Sequence, residues 1–81
     1  MELNDRICVV TGGGSGIGRA SAHAFAAEGA RLVIVADLDE AKAVEVAESI
    51  DGNARGVGLD VADEAAVTSL CETIENNDGP I

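Results

Sequence analysis

Three runs of apolar residues alternate along the chain with segments in which apolar residues recur at helical spacing. The first two runs are apolar throughout, which is typical of strands buried on both faces of a parallel sheet. The third run contains Gly56 and Gly58, which lower strand propensity, but it lies between two helical segments and ends at an acid, Asp60. The pattern predicts strands over residues 6–11, 32–36 and 54–59.

A helical segment follows each strand, and we predict helices over about 17–28, 39–50 and 63–77. Gly29 supplies a carboxyl-terminal cap to the first helix, and Asp39 an amino-terminal cap to the second. The third helix has the clearest spacing, i, i+3, i+4 and i+7. The side chains predicted to point inward are Ile17, Ala20, Ala24 and Ala27, then Ala43, Val44, Ala47 and Ile50, then Val67, Leu70, Cys71 and Ile74.

Strand and helix in threefold alternation predict an α/β fold with a parallel sheet, right-handed crossovers and helices on both faces. The expected strand order is 3-2-1, which is the first half of a doubly wound, Rossmann-like sheet. We expect residues 1–81 to form one partial dinucleotide-binding domain that stops before a fourth strand. Ligands of such sheets bind outside the carboxyl ends of the strands.

A glycine-rich stretch, Thr11–Gly18, joins the first strand to the first helix. Glycine lets the main chain turn tightly and lets an anion approach it. The following helix directs its free N–H groups and its positive dipole end at the same place. The stretch therefore predicts a site for a phosphate or pyrophosphate.

The spacing of the glycines narrows the choice of ligand. Gly12, Gly16 and Gly18 give G-x-x-x-G-x-G, and no register of the stretch fits G-x-G-x-x-G. Arg19-Ala20, in place of lysine and a serine or threonine after the last glycine, argues against a phosphate loop of the Walker type. A second register, Gly14, Gly16 and Gly18, leaves open a methyltransferase that binds S-adenosylmethionine.

Two acids follow the predicted strand ends. Asp37, 19 residues after Gly18, is placed to accept hydrogen bonds from ribose hydroxyls and would repel a 2′-phosphate. No basic residue offsets that repulsion at Ser15 or Leu38, so the pattern favours NAD over NADP. Asp60 and the adjacent Val61 are suited to an adenine amino group and ring face. The alternatives are that Asp37 is only a solvated loop residue or a helix cap, and that Asp60 only caps the third helix.

Composition limits the class of protein. The chain of 81 residues carries a net charge of −10, which argues against nucleic acid and anionic membranes as partners. It has no long apolar span and no signal-peptide pattern, and we expect it in the cytoplasm. Cys8 and Cys71 are interpreted as small core residues and His23 as a surface or packing residue, with no metal set among them.

The chain resembles the amino-terminal third of a short-chain dehydrogenase/reductase. The resemblance rests on Thr11–Gly18, on Asp37 and on Asp60-Val61. It implies a family that transfers hydride between a nicotinamide and an alcohol or carbonyl carbon, usually as a homo-oligomer. The implied cofactor-binding residues are Gly12, Ser15, Gly16, Ile17, Gly18, Asp37, Leu38, Asp60 and Val61.

The resemblance also assigns roles within that set. Gly12 would make the turn, Gly16 would admit the pyrophosphate, and Gly18 would let the helix pack on the strand. The main chain of Ile17 would contact the pyrophosphate, while Asp37 would bind the adenosine ribose. Asp60 with Val61 would bind the adenine.

The catalytic residues of that family have no counterpart in this chain. The family uses a tyrosine, a lysine four residues later and a serine, and this chain contains no tyrosine. We therefore expect no catalytic residue here and an inactive 81-residue polypeptide that carries only the adenosine and pyrophosphate half-site. A non-enzymatic nucleotide-binding fragment is the remaining alternative.

Overall fold

The computed structural model describes residues 6–12, 16–50 and 53–81. Within them three strands alternate with three helices, as the apolar pattern predicts, and each boundary lies within one residue of its expected place. The elements are β1 (Ile7–Thr11), α1 (Gly16–Ala27), β2 (Leu32–Asp37), α2 (Glu40–Ser49), β3 (Ala54–Gly58) and α3 (Glu64–Asn77).

The three strands form one parallel sheet in the order β1-β2-β3, which is the expected order 3-2-1 counted from the other edge. In the register, Val10 pairs with Val35 and Val35 pairs with Gly56. The central strand β2 is the most enclosed, with Val33, Ile34 and Val35 fully buried. The prediction of an α/β, Rossmann-like parallel sheet is confirmed.

Each face of the sheet has its own apolar cluster. One cluster joins the sheet to α1 and α2; its buried members are Val10, Ala22, Val33, Val35, Ala43, Val46, Ala47 and Ile50. The other is smaller and joins Ile7 and Ile34 to Ile74 of α3. Because residues alternate between the faces of a strand, both faces of β2 are apolar, which explains its unbroken apolar sequence.

The inward positions of α2 and α3 follow the prediction closely. Ala43, Ala47 and Ile50 are buried and Val44 is half-buried, while the buried Val46 was not among the predicted positions. In α3, Ile74 is buried, and its predicted partners one and two turns earlier are half-buried. The helical spacing thus identifies the packed face of both helices.

The inward stripe predicted for α1 is wrong. Its four predicted residues are exposed, and Ile17 is 85% exposed. The helix instead packs through Gly18 and Ala22, with Phe25 and Ala26 half-buried against the same cluster. Five of the twelve residues of this helix are alanine, and they occur on both sides of it, so the spacing of apolar residues does not choose the packed face.

The cysteines and the histidine are less enclosed than core residues. Cys8 and Cys71 are free thiols that are half-buried rather than fully buried. His23 is half-buried on α1, and its Nε2 lies 3.0 Å from the Ser49 hydroxyl oxygen. That hydroxyl donates to the Val46 carbonyl at 2.6 Å, so His23 is a packing residue that links α1 to α2.

Candidate functional site at the carboxyl edge of the sheet

The carboxyl ends of the three strands bring the predicted site residues to one edge. Thr11 pairs with Ala36, and Ala36 pairs with Val57, so the three strands end almost level. The chain then continues into the glycine stretch, into Asp37 and towards Asp60. Segments that are 19 or more residues apart in sequence therefore share one edge of the sheet, its carboxyl rim.

The glycine stretch begins with a turn that requires glycine. Gly12 has φ +66°, a left-handed conformation that residues with a Cβ rarely adopt. Gly16, the first residue of α1, borders open space, because a Cβ built there meets no atom within 4 Å. Gly18 is buried on the packed side of the helix. Ser15, a predicted cofactor-binding residue, lies outside the described residues with Gly13 and Gly14.

The amino terminus of α1 differs electrostatically from those of the other two helices. Both α2 and α3 begin with a glutamate and are capped by an aspartate, Asp39 and Asp63 respectively. The first turn of α1 contains no acid. The first N–H groups of a helix have no partner within the helix and carry partial positive charge. An anion is therefore accommodated better at the start of α1 than at either of the others.

Asp37 ends β2 and is half-buried at the rim. Its Oδ1 accepts a hydrogen bond from the main-chain N–H of Asp39 at 2.9 Å. Asp39 in turn caps α2 by accepting from the N–H of Lys42 at 3.3 Å. Asp37 is therefore not the cap of α2, and its carboxylate is held in one direction by a local turn.

Asp60 is held in the same manner at the end of β3. Its Oδ1 accepts from the N–H of Ala62 at 2.9 Å, and its carbonyl accepts from the N–H of Asp63 at 3.0 Å. The cap of α3 is Asp63, whose side chain accepts from Ala66 at 3.1 Å. The alternative that Asp60 only caps the third helix is thus excluded.

Three large apolar side chains stand exposed around this rim. Ile17, Leu38 and Val61 are 85%, 77% and 60% exposed. All three belong to the predicted cofactor-binding set, and each directly follows a glycine or an aspartate of that set. Exposed apolar side chains beside oriented carboxylates form a surface suited to a ligand with flat rings and hydroxyl groups.

Sequence reasoning did not single out Glu40. It is the first residue of α2, and its side chain lies over Gly58 at the end of β3. A Cβ built on Gly58 would stand 3.1 Å from both the Cβ and the Oε2 of Glu40. The available signal was its position three residues after Asp37, inside the predicted helix start.

A depression of about 430 Å³ lies at the opposite edge of the sheet, far from these residues. Its polar groups bind one another: Arg55 donates to both carboxylate oxygens of Asp78, at 3.0 and 3.1 Å. Arg31 donates to the Asp78 carbonyl oxygen. The hydrogen bond from Arg55 lowers the pKa of the Asp78 carboxyl. This cluster ties the end of α3 to β2 and β3, and it is not the candidate site.

The described residues show no other competing arrangement. No group of three or more His, Cys, Asp or Glu side chains among them is placed to hold a metal ion. In the same part of the chain, every helix is too short or too polar to cross a membrane.

Comparison with known protein families identifies the family to which this chain belongs. The model of the family described as short chain dehydrogenase matches residues 6–81. The chain belongs to the short-chain dehydrogenase family. The family comprises oxidoreductases that bind nicotinamide dinucleotides and small-molecule substrates.

Individual relatives match all or most of this segment. Galactitol 2-dehydrogenase of Agrobacterium fabrum is 42% identical over 81 residues, covering 100% of this chain and 31% of that protein. The (+)-cis,trans-nepetalactol synthase NEPS1 of Nepeta racemosa is 42% identical over 71 residues, covering 88% of this chain and 26% of that protein. The chain therefore spans less than a third of the length of these relatives.

A solved structure of a related dehydrogenase has the same fold as this chain. The citronellol catabolism dehydrogenase AtuB of Pseudomonas aeruginosa superposes with a TM-score of 0.88 and 37% sequence identity. The superposition covers 98% of this chain and 34% of AtuB. This short-chain dehydrogenase segment thus corresponds to about a third of a related enzyme.

Proposed function

We propose that the chain carries the adenosine- and pyrophosphate-binding half-site of an NAD-dependent oxidoreductase that transfers hydride between the nicotinamide and an alcohol or carbonyl carbon. The observation that carries the proposal is the position of Asp37, which is held at the same rim as the Gly12 turn and the acid-free start of α1. That combination suits a ribose beside a pyrophosphate.

The residues at the rim fit the parts of a dinucleotide. The open space at Gly16 would admit the pyrophosphate, whose charge the first N–H groups of α1 would stabilise. The oriented carboxylate of Asp37 would accept hydrogen bonds from the ribose, and Asp60 with Val61 would hold the adenine. When bound, the nicotinamide supplies the hydride acceptor or donor.

NAD is favoured over NADP in this proposal because of charge. A carboxylate at the ribose repels a 2′-phosphate, and the exposed neighbour Leu38 carries no positive charge to compensate. A charge-assisted hydrogen bond contributes about 1.5–3 kcal/mol. Asp37 is therefore the residue on which the preference rests.

We also propose that hydride transfer needs residues outside these 81. The chain contains no tyrosine to act as the general acid and base, and it spans about a third of the related enzymes. The 81-residue chain alone would then bind the adenosine half of the cofactor without catalysing a reaction. The substrate would be selected by residues beyond this segment.

Titration calorimetry with NADH and with S-adenosylmethionine tests the proposed ligand. In the complete enzyme that contains this chain, we expect NADH to bind and Asp37→Asn to weaken binding by about ten- to hundredfold. Glu45→Gln, which neutralises an exposed acid of α2, should leave binding unchanged. Tighter binding of S-adenosylmethionine, or an Asp37→Asn variant with unaltered affinity, would refute the proposal.

A further inference from the structure

Glu40 adds a second carboxylate to the end of the sheet where Asp37 lies. Its side chain turns back over β3 rather than extending away from the sheet, since both its Cβ and its Oε2 are 3.1 Å from where a Gly58 Cβ would be. A Cβ at residue 58 would crowd the glutamate in this position. The position of Glu40 is therefore coupled to a glycine at residue 58.

The two acids share one face of the sheet. Asp37 and Gly58 are directly paired across β2 and β3, whose axes are about 4.8 Å apart. Side chains alternate along a strand, so Asp37 is on the same face as Val35, which packs against the helices α1 and α2. The open side of Gly58 is on that face too, because it is covered by Glu40 at the start of α2.

Glu40 brings a negative charge to the start of α2. It is exposed, and it occupies the first turn of α2, where the helix dipole stabilises negative charge. Lys42 is two positions further along the helix, a spacing that places two side chains on different sides. The negative charge of Glu40 therefore adds to that of Asp37 at the rim.

We propose that Glu40 is a second determinant of cofactor choice, which disfavours a 2′-phosphate on the adenosine ribose. The inference rests on the proposed NAD-binding function of this rim. Asp37 would bind the ribose hydroxyls directly. Glu40 would act at longer range, because its negative charge would repel a phosphate that replaces the 2′-hydroxyl. A purely structural role would instead make Glu40 a stabiliser of α2 with no influence on cofactor choice.

The test compares kcat/KM for NAD and for NADP in the complete enzyme. Glu40→Gln removes the charge and keeps the shape, and we expect it to raise the ratio of NADP to NAD by about three- to tenfold. Glu40→Asp keeps the charge and should hold the ratio within about twofold of the original. Glu45→Gln removes an exposed acid elsewhere on α2 and serves as the matched control.

Salt separates a charge effect from a change of shape. The rise in the NADP-to-NAD ratio of kcat/KM that Glu40→Gln causes should shrink as the ionic strength rises, because exposed charges are screened beyond about 8 Å at physiological salt. An unchanged ratio in Glu40→Gln, alongside a ratio that does shift in Asp37→Ser, would overturn the role of Glu40 alone. Absence of binding to both dinucleotides would overturn the proposed function and this inference together.

Discussion

Gly56 of β3 lies directly beneath Val44 of α2, with no room between the two backbones for a side chain. A Cβ built on Gly56 would stand 2.5 Å from the Val44 Cα and N atoms, and 2.6 Å from the Ala43 carbonyl carbon. No rotamer change relieves such contacts because all three atoms belong to the helix backbone. The close approach of α2 to the sheet therefore depends on glycine at this position.

Gly56→Ala is expected to lower the free energy of unfolding by about 3 kcal/mol, since the helix must move away from the strand. Urea unfolding of the variant beside the original protein measures the loss. Gly58→Ala is the milder control, because its Cβ would stand 3.1 Å from the Cβ and the Oε2 of Glu40, so that the carboxylate rotates away and only a small shift at the Glu40 Cβ is needed. We expect a loss of about 1 kcal/mol or less there, and equal losses in both variants would contradict the argument.

The role of Gly56 also shows why β3 was the weakest strand prediction. Local propensity counts a glycine against a strand, and the sequence around it contains Arg55 and a second glycine. The reason for the glycine lies at Val44 in helix α2, 12 residues earlier in the chain, which the sequence pattern does not show. Only tertiary packing makes the residue a requirement of the fold rather than a defect in the strand.

Burial separates two isoleucines that the apolar pattern treated alike. Ile74→Ala is expected to cost about 3 kcal/mol, because this side chain is 1% exposed and fills the contact between α3 and the sheet. Ile17→Ala should change the free energy of unfolding by less than about 0.5 kcal/mol, because Ile17 is 85% exposed. Urea midpoints of the two variants measure the contrast, and a large loss in Ile17→Ala would contradict the orientation of α1.

The same contrast explains which helices the sequence could orient. In α3, polar residues alternate with Val67, Leu70 and Ile74, so one face stands out. In α1, five of the twelve residues are alanines on both sides of the helix, so a shift of the packed face by one position changes little in the pattern. The choice is made by Gly18, where the helix comes close, and by Phe25, which needs volume.

The ion pair between Arg55 and Asp78 makes stability depend on pH at the acidic end. The hydrogen bond from Arg55, followed by the charges of Arg55 and Arg31, lowers the pKa of the Asp78 carboxyl. A carboxyl whose folded pKa is lowered contributes stability above its unfolded pKa, about 3.9, and loses it as the pH falls through the folded pKa. The contribution is therefore complete at neutral pH and disappears in acid.

Asp78→Asn is expected to be less stable than the original protein at pH 7 and nearly equal to it at pH 2, in urea unfolding at both values. Glu75→Gln, an exposed acid on the same helix, controls for the change in net charge. High salt should narrow the difference at pH 7, because both partners are partly exposed. A difference that persists unchanged at pH 2 would refute the assignment to ionised Asp78.

The sequence predicted the parts of the candidate site that lie next to strand ends. Asp37 and Asp60 could be found because each follows a recognisable strand, and parallel strands deliver their ends to one rim. Glu40 could not be found in that way, because its place over Gly58 arises from the packing of α2 on β3. Site residues that directly follow a strand can be predicted from sequence spacing. A contact between a helix residue and a glycine of the sheet can be seen only in the folded structure.

Exchange of the residues at the end of β2 tests cofactor choice most directly. Asp37→Ser with Leu38→Arg replaces a carboxylate by a small hydroxyl and adds a guanidinium, which binds phosphate well. In the complete enzyme, we expect the ratio of kcat/KM for NADP to that for NAD to rise by about a hundredfold or more, as a change of about 3 kcal/mol implies.

The single variants of that pair divide the effect between its two causes. Asp37→Ser alone should remove repulsion and weaken binding of the ribose, so that most of its change appears as a higher KM for NAD. Leu38→Arg alone should gain little, because the carboxylate of Asp37 remains beside the added guanidinium and pairs with it. A ratio that does not change in the double variant would mean that Asp37 does not bind the ribose, and the preference for NAD would then need another explanation.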